Sequence, residues 1–180
     1  MVKRRMAKFT KVSYEQFKKD WLKVFGKYNE NLSEELLEKT ITYIYDNIKL
    51  PTRATEDSAG YDFHIPFSLI LTNGEPQVIP TGVRCEMESG WVMKCYPRSG
   101  QGFKYGLHLA NTVGIIDADY AHADNEGHIH IKLVNDSILA SIITFNPDDK
   151  FCQGVFVPYG ITYDDDVETE RTGGFGSTGA

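Results

Sequence analysis

The residues best placed to do chemistry lie in an apolar run, residues 107–120, which is interrupted by Asn111, Gly114, Asp117 and Tyr120. Asn-Thr-Val-Gly reads as a turn, and Ile115 with Ile116 reads as a strand leaving it. A carboxylate at the end of such a buried hairpin is costly unless something uses it. The Asn111 amide offers a donor and an acceptor side by side, which suits the edge of a nucleobase. The alternative is a hairpin capped by solvated Asx residues.

Four other stretches carry groups that bind anions or hold bases. In Ser58-Ala59-Gly60-Tyr61-Asp62, small residues allow close packing, and Asp62 can pair with an arginine or orient a metal-bound water. Pro97-Arg98-Ser99-Gly100-Gln101-Gly102 joins a cation, a hydroxyl and amides at two glycines. That set forms either a phosphate cradle or an ordinary hairpin loop. Gln153 sits inside an apolar strand, where its amide needs a backbone or ligand partner. The chain then runs through Arg171-Thr172-Gly173-Gly174-Phe175-Gly176-Ser177-Thr178-Gly179. There a fixed cation, glycines, one aromatic and the hydroxyls of Ser177 and Thr178 coincide. An aromatic on such an arm can stack on a base, worth ~1–3 kcal/mol. An arginine can hold a terminal phosphate.

These groups need a scaffold. The chain has 180 residues, 41% of them hydrophobic, enough for one domain with an appendage. A net charge of −6 disfavours bulk nucleic-acid binding. Residues 1–50 read as a helical extension. Ser13 and Gln16 form a capping box, with Val12 and Phe17 as a hydrophobic staple. Phe17, Trp21, Val24 and Phe25 recur at helical spacing, and a second helix starts at Ser33 with the stripe Leu37, Ile41, Ile44 and Ile48. Those stripes must be buried against the body or a neighbouring subunit. After Pro51, short β-rich segments separated by Gly, Pro, Asn and Asp continue to about residue 163, predicting a sandwich, jelly roll or small barrel. Residues 164–180 turn acidic and then glycine-rich, a flexible arm.

Cys85, Cys95 and Cys152 are scattered, which suits a reducing, cytoplasmic setting and indicates neither a zinc site nor disulfides. His128 and His130 share a strand face, but without a third ligand nearby they read as structural or exposed. No long apolar run or secretion signal is evident, so no membrane association is expected.

Taken in order, Ser-Ala-Gly-Tyr-Asp, Pro-Arg-Ser-Gly, Asn-(x)2-Gly-Ile-Ile-Asp-(x)2-Tyr, the Asp-Lys-(x)2-Gln strand and Arg-(x)2-Gly-Phe-Gly-Ser-Thr-Gly resemble the five motifs of the trimeric dUTPases. The resemblance covers about residues 50–180. It implies a mainly β, dUTPase-like jelly roll carrying the two-helix extension. It also implies hydrolysis of dUTP to dUMP and pyrophosphate, which lowers dUTP and supplies dUMP for thymidylate synthesis. Mg²⁺ would be bound mainly through the triphosphate, and a homotrimer would share its active sites between subunits. Asp117 then resembles the general base. Asn111, Gly114 and Ile116 resemble the uracil-reading hairpin, and Tyr120 the ring under the deoxyribose that leaves no room for a 2′-hydroxyl. Arg98, Ser99, Gly100 and Gln153 resemble phosphate contacts, and Asp62 a carboxylate that meets the metal through water. Arg171, Phe175, Gly176, Ser177 and Thr178 resemble the arm that covers base and phosphates.

The chain departs from that pattern at three places. Residues 121–126 lengthen the exit beyond Tyr120, Phe151 and Cys152 replace commoner aliphatic and small residues, and residues 1–50 lie outside the family core. A deoxycytidine triphosphate deaminase is the nearest rival, but no glutamate stands in residues 107–120 to activate water at the base. A regulator that binds a protein partner through residues 1–50 or 121–126 is a third reading.

Overall fold

The alternation expected after Pro51 is present as strands. The computed structural model describes residues 4–169, 171 and 173. It opens with β1 (Ala7–Lys11), α1 (Tyr14–Phe25), a 3₁₀ turn (Gly26–Asn29) and α2 (Glu34–Asp46). The body follows: β2 (Thr52–Arg53), β3 (Tyr61–His64), β4 (Leu69–Thr72), β5 (Gln77–Pro80), β6 (Val83–Met87) and β7 (Trp91–Pro97). After a short helix α3 (Ser99–Tyr105) come β8 (Leu107–Leu109), β9 (Gly114–Ile116) and a 3₁₀ turn (Ala118–His122). The last strands are β10 (His130–Asn135), β11 (Ile142–Phe145) and β12 (Lys150–Pro158). A five-stranded sheet runs β2-β3-β12-β7-β9 and a three-stranded sheet β5-β10-β8, with two-stranded pieces β1-β6 and β11-β4. These named strand pairs are antiparallel. The fold class is mainly β with helices near the N-terminus, as expected.

Three local features differ from the sequence reading. Residues 1–50 are not helical throughout, because β1 precedes the helices and pairs with β6 from Ala7↔Met87 to Lys11↔Val83. The segment 107–116 is not a closed hairpin. β8 pairs with β10 while β9 pairs with β7, so its two arms part into different sheets. The turn between them places Thr112 at φ 65°. Finally, the Arg98 loop opens a helical turn, which its two glycines disfavour by propensity.

The capping box forms only in part. Ser13 accepts from the Gln16 backbone N–H as expected. The Gln16 side chain, however, turns to Asp20 at 2.6 Å, and Glu126 takes its place by accepting from Ser13 N at 2.7 Å and Ser13 Oγ at 2.6 Å.

The helices share one core with the sheets. Phe17, Trp21, Ile41, Ile44 and Ile48 belong to the same buried cluster as Phe63, Ile79, Val83, Leu133 and Phe151. Each such side chain contributes ~1.5–3 kcal/mol on burial. Helices of this length are marginal alone, so packing rather than propensity holds them. Gly82 is where helices and body meet. Its φ is +72°, and a Cβ there would lie 2.2 Å from Ile48 Cδ1 and 3.3 Å from Phe17. Cys85, Cys95 and Cys152 are buried free thiols, and burial pushes Cys85 up to about 12.

Candidate active site

Asp62 is buried on β3, and the sheet register delivers its partners. Its Oδ1 lies 3.1 Å from Arg98 Nε and its Oδ2 lies 2.9 Å from Lys150 Nζ. Gln153 is opposite both Asp62 and Tyr96 across neighbouring strands, and its Nε2 donates to Pro97 O at 3.2 Å. Its Oε1 fills the space a Cβ on Gly60 would need, at 2.5 Å. Ser99 and Gly100 are exposed at the start of α3. Arg98, Asp62, Gln153 and the Ser99–Gly100 backbone therefore stand together. Lys150 was legible in the Asp-Lys-(x)2-Gln stretch, but only the pairing of β12 with β3 reveals its contact.

The second group gathers where β9 ends. Asp117 precedes the 3₁₀ turn and makes no capping bond to it, so its carboxylate is not tied to its own backbone. Arg171 reaches it, with NH2 to Asp117 Oδ2 at 2.7 Å and Nε to Asp119 Oδ1 at 2.9 Å. The Arg171 guanidinium carbon also sits 5.7 Å from the centre of the Tyr120 ring. Tyr120 is buried in that turn and not in a strand; its hydroxyl donates to His128 O at 2.8 Å and accepts from Asn125 Nδ2 at 2.8 Å. Phe175, Gly176, Ser177 and Thr178 lie outside the described residues.

Asn111, Gly114, Ile115 and Ile116 border a cleft of about 760 Å³ whose opposite wall is helix α1, through Asp20, Lys23 and Val24. A helix counted as an appendage thus faces the segment that resembles the base-reading element.

The two groups are far apart on one chain. Ile116 pairs with Met93 on β7, so Asp117 stands near the level of Val92, whereas Arg98 follows Pro97 at the far end of the same strand. About six residues of extended chain at ~3.3 Å each separate those levels by ~20 Å.

Asp20 also completes a cluster that sequence reading missed. His128 Nδ1 lies 2.6 Å and His130 Nε2 lies 3.5 Å from Asp20 Oδ2. These groups are close enough to suggest a metal site, but the hydrogen bonds argue otherwise. His128 Nε2 accepts from Gly82 N–H at 2.8 Å. Its proton is therefore on Nδ1 and points at Asp20. A metal on Nδ1 would force a proton onto Nε2, against the Gly82 donor, whereas a ligating histidine normally gives that proton to an acceptor. The trio is a hydrogen-bonded tie between α1 and β10. Burial raises the Asp20 carboxyl, but hydrogen bonds from His128, His130 and Gln16 outweigh it and hold it far below the usual range. Burial lowers His128 despite the opposing pull of Asp20.

A mainly β body thus carries a carboxylate ringed by cations at one end and an arginine-paired carboxylate beside a tyrosine at the other. The dUTPase family model matches residues 46–179, and the chain belongs to that family. It is 40% identical over 146 residues to the deoxyuridine 5′-triphosphate nucleotidohydrolase of Lactococcus lactis subsp. lactis, covering 79% of this chain and 96% of that one. The crystal structure of dUTPase from Streptococcus mutans superposes with a TM-score of 0.58 at 35% identity, over 65% of this chain and 90% of that chain. A variant dUTPase from phage phi11 of S. aureus shares the fold at a TM-score of 0.58 and 24% identity, over 71% and 94% of the two chains. That structure concerns the coordination of a structural Mg(II) ion in the phage protein. The family match begins at residue 46, so α1 and nearly all of α2 lie outside it. Among the described residues no helix is long and apolar enough to cross a membrane.

Proposed function

We propose that this chain is a dUTP diphosphatase, splitting dUTP with water into dUMP and pyrophosphate. The observation that carries the reading is the uncapped Asp117 carboxylate beside the Tyr120 turn, at the exit of the segment bearing Asn111 and Gly114. A carboxylate within hydrogen-bond reach of a water can take its proton as the water attacks phosphorus, worth about 10²–10⁴ in rate. Asn111 and the backbone from Gly114 to Ile116 read the uracil, and Tyr120 packs beneath the deoxyribose. Arg98, Ser99, Gly100 and Gln153 hold phosphates. The arm, from Arg171 through Phe175, Gly176, Ser177 and Thr178, covers the nucleotide. Arg171 must leave Asp117 when substrate arrives, exchanging two carboxylates for a phosphate.

Mg²⁺ takes oxygen ligands and keeps several waters. Asp62 fits such an ion through water rather than directly, since each of its oxygens already faces a cation. When bound, the ion neutralises charge on the triphosphate.

The ~20 Å between the levels of Asp117 and Arg98 supports a homotrimer in which one copy's phosphate loop meets another copy's hairpin. Phe103, Ile138 and Leu139 are 94%, 97% and 83% exposed, apolar surface of the kind subunit contacts cover. The partner-binding reading through residues 1–50 has less support, because the apolar stripes of both helices are already buried in the body. The three buried free thiols suit a reducing compartment, and the reading places the chain in the cytoplasm.

Pyrophosphate release from dUTP with Mg²⁺, beside UTP, dTTP and dCTP, tests the reading. Efficient turnover is expected for dUTP alone. Ammonia release from dCTP would instead establish the deaminase.

A further inference from the structure

The two segments that depart from the family pattern are each other's partners. Glu126, in the lengthened exit, binds the N-terminus of α1 through Ser13 N and Oγ at 2.7 and 2.6 Å. Two residues on, His128 is clamped between Gly82 N–H at 2.8 Å and Asp20 of α1 at 2.6 Å. Arg84 fixes the start of the exit by donating to Ala121 O at 2.7 Å. Gly127 lets the chain fold tightly there. Its φ is +69°, and a Cβ would lie 2.6 Å from Ala121 Cα and 2.7 Å from Tyr120 O.

This fixed frame ends on Tyr120. The phenol oxygen has two tethers: it donates to His128 O at 2.8 Å and accepts from Asn125 Nδ2 at 2.8 Å. Asn125 is oriented in turn, because its Oδ1 accepts from Gly127 N at 3.2 Å. A ring tethered at its far end cannot swing away when something presses on its face. Steric rejection of a hydroxyl demands that stiffness, because a yielding wall admits the larger sugar.

We propose that Asn125 is a positioning residue for sugar discrimination, holding the Tyr120 ring through its hydroxyl, with α1 bracing the loop that carries Asn125. The inference rests on the reading of Tyr120 as the surface beneath the deoxyribose. The substrate class it bears on is the choice between 2′-deoxyribo- and ribonucleoside triphosphates.

The test measures kcat/KM for dUTP and UTP by pyrophosphate release with Mg²⁺, on the full chain and on Asn125→Ala, Asn125→Asp and Tyr120→Ala. Asp at 125 keeps the acceptor for Gly127 N but supplies no donor to the phenol. Both Asn125 variants are expected to lower the dUTP-to-UTP ratio about five- to tenfold, the worth of one tether. The change should fall mainly on UTP, whose KM decreases while kcat for dUTP moves less than about twofold. A lowered melting temperature in either variant with an unchanged ratio means Asn125 serves stability alone, and overturns the inference. Tyr120→Ala separates the layers. If it collapses the ratio while the Asn125 variants do not, the positioning role fails and the sugar-facing reading survives. If it too leaves the ratio intact, the sugar-facing reading fails, and the inference falls with it.

Discussion

Two aspartates are each paired with an arginine, and they differ in almost everything else. Asp62 is 6% exposed, sits in the middle of a sheet and has both oxygens held, by Arg98 and Lys150. Asp117 keeps a side chain 47% exposed, at the lip of a turn, and its cation comes from the chain's far end. Sheet register fixes the backbones of the first pair, since Lys150 stands on β12 beside β3 and Arg98 at the start of α3. The second pair is held by one side chain across 54 residues of sequence. A carboxylate that organises charge benefits from permanence. One that must receive a proton has to be reachable. The contrast supports the proposal that Asp62 positions the site and Asp117 reacts in it.

That contrast can be broken by substitution. Asp117→Asn leaves the shape intact and removes the base, so dUTP turnover should fall by about 10³ or more while dUTP binding persists. Single-turnover kinetics with a binding titration checks this, and substantial residual turnover would move the reacting role elsewhere. Asp62→Ala should act on stability instead. It strands two cations in a partly buried site, and since both are over a third exposed the cost is about 2–3 kcal/mol, below the range for fully buried pairs. Chemical denaturation measures it.

Acid should expose a third difference, located in the α1 tie. His128 is held below its ordinary 6.5 by burial, so the folded state favours its neutral form. The unfolded chain then binds more protons below 6.5. The stability from this group is complete above that pH and is lost as pH falls beneath it. His64, lowered by burial and by Lys150, adds the same sign. Asp20, held low, contributes above its ordinary 3.8 and loses that only in stronger acid. Melting temperature should therefore drop from pH 6.5 downward, and His128→Gln should flatten the slope. The smallest effect concerns the reachable pair. Arg171→Ala should cost about 1 kcal/mol of stability, since the two carboxylates it pairs are 47% and 54% exposed, while turnover suffers far more. A large loss of stability would make the arm a structural clasp.

The sequence made much of this legible, for identifiable reasons. Asp117, Arg98 and Asn111 stand out because their types and intervals are informative without any fold. The strands follow from alternation, and both helices from Ser13 and Ser33, which do cap them. What stayed hidden depends on contacts between distant segments. Asp20 meets His128 across 108 positions and Ser13 meets Glu126 across 113, and nothing local in either segment names the other. Asp20 is a charged residue on a helix, a type usually solvated, yet it is 7% exposed. The parting of β8 from β9 was equally invisible, because a hairpin and two strands entering separate sheets share the same alternation. Glycines concealed α3, because Gly100 and Gly102 lower its helical propensity.

Lys11 donates to Tyr45 O and Asp46 O at 2.7 and 3.0 Å, and the Tyr45 hydroxyl donates to Val12 O at 2.8 Å. The helical excursion therefore departs and returns at a single point on the body. Closing such a loop grows only slowly more costly with length, so a detour of this form can enter a gene in one event without rethreading a strand. Its removal is another matter. Gly82 and His128 are fitted to the helices, and excision would leave a bare apolar floor and a buried imidazole without its carboxylate. Attachment at one point and burial along the apolar stripes make the excursion simple to place on the body and costly to remove.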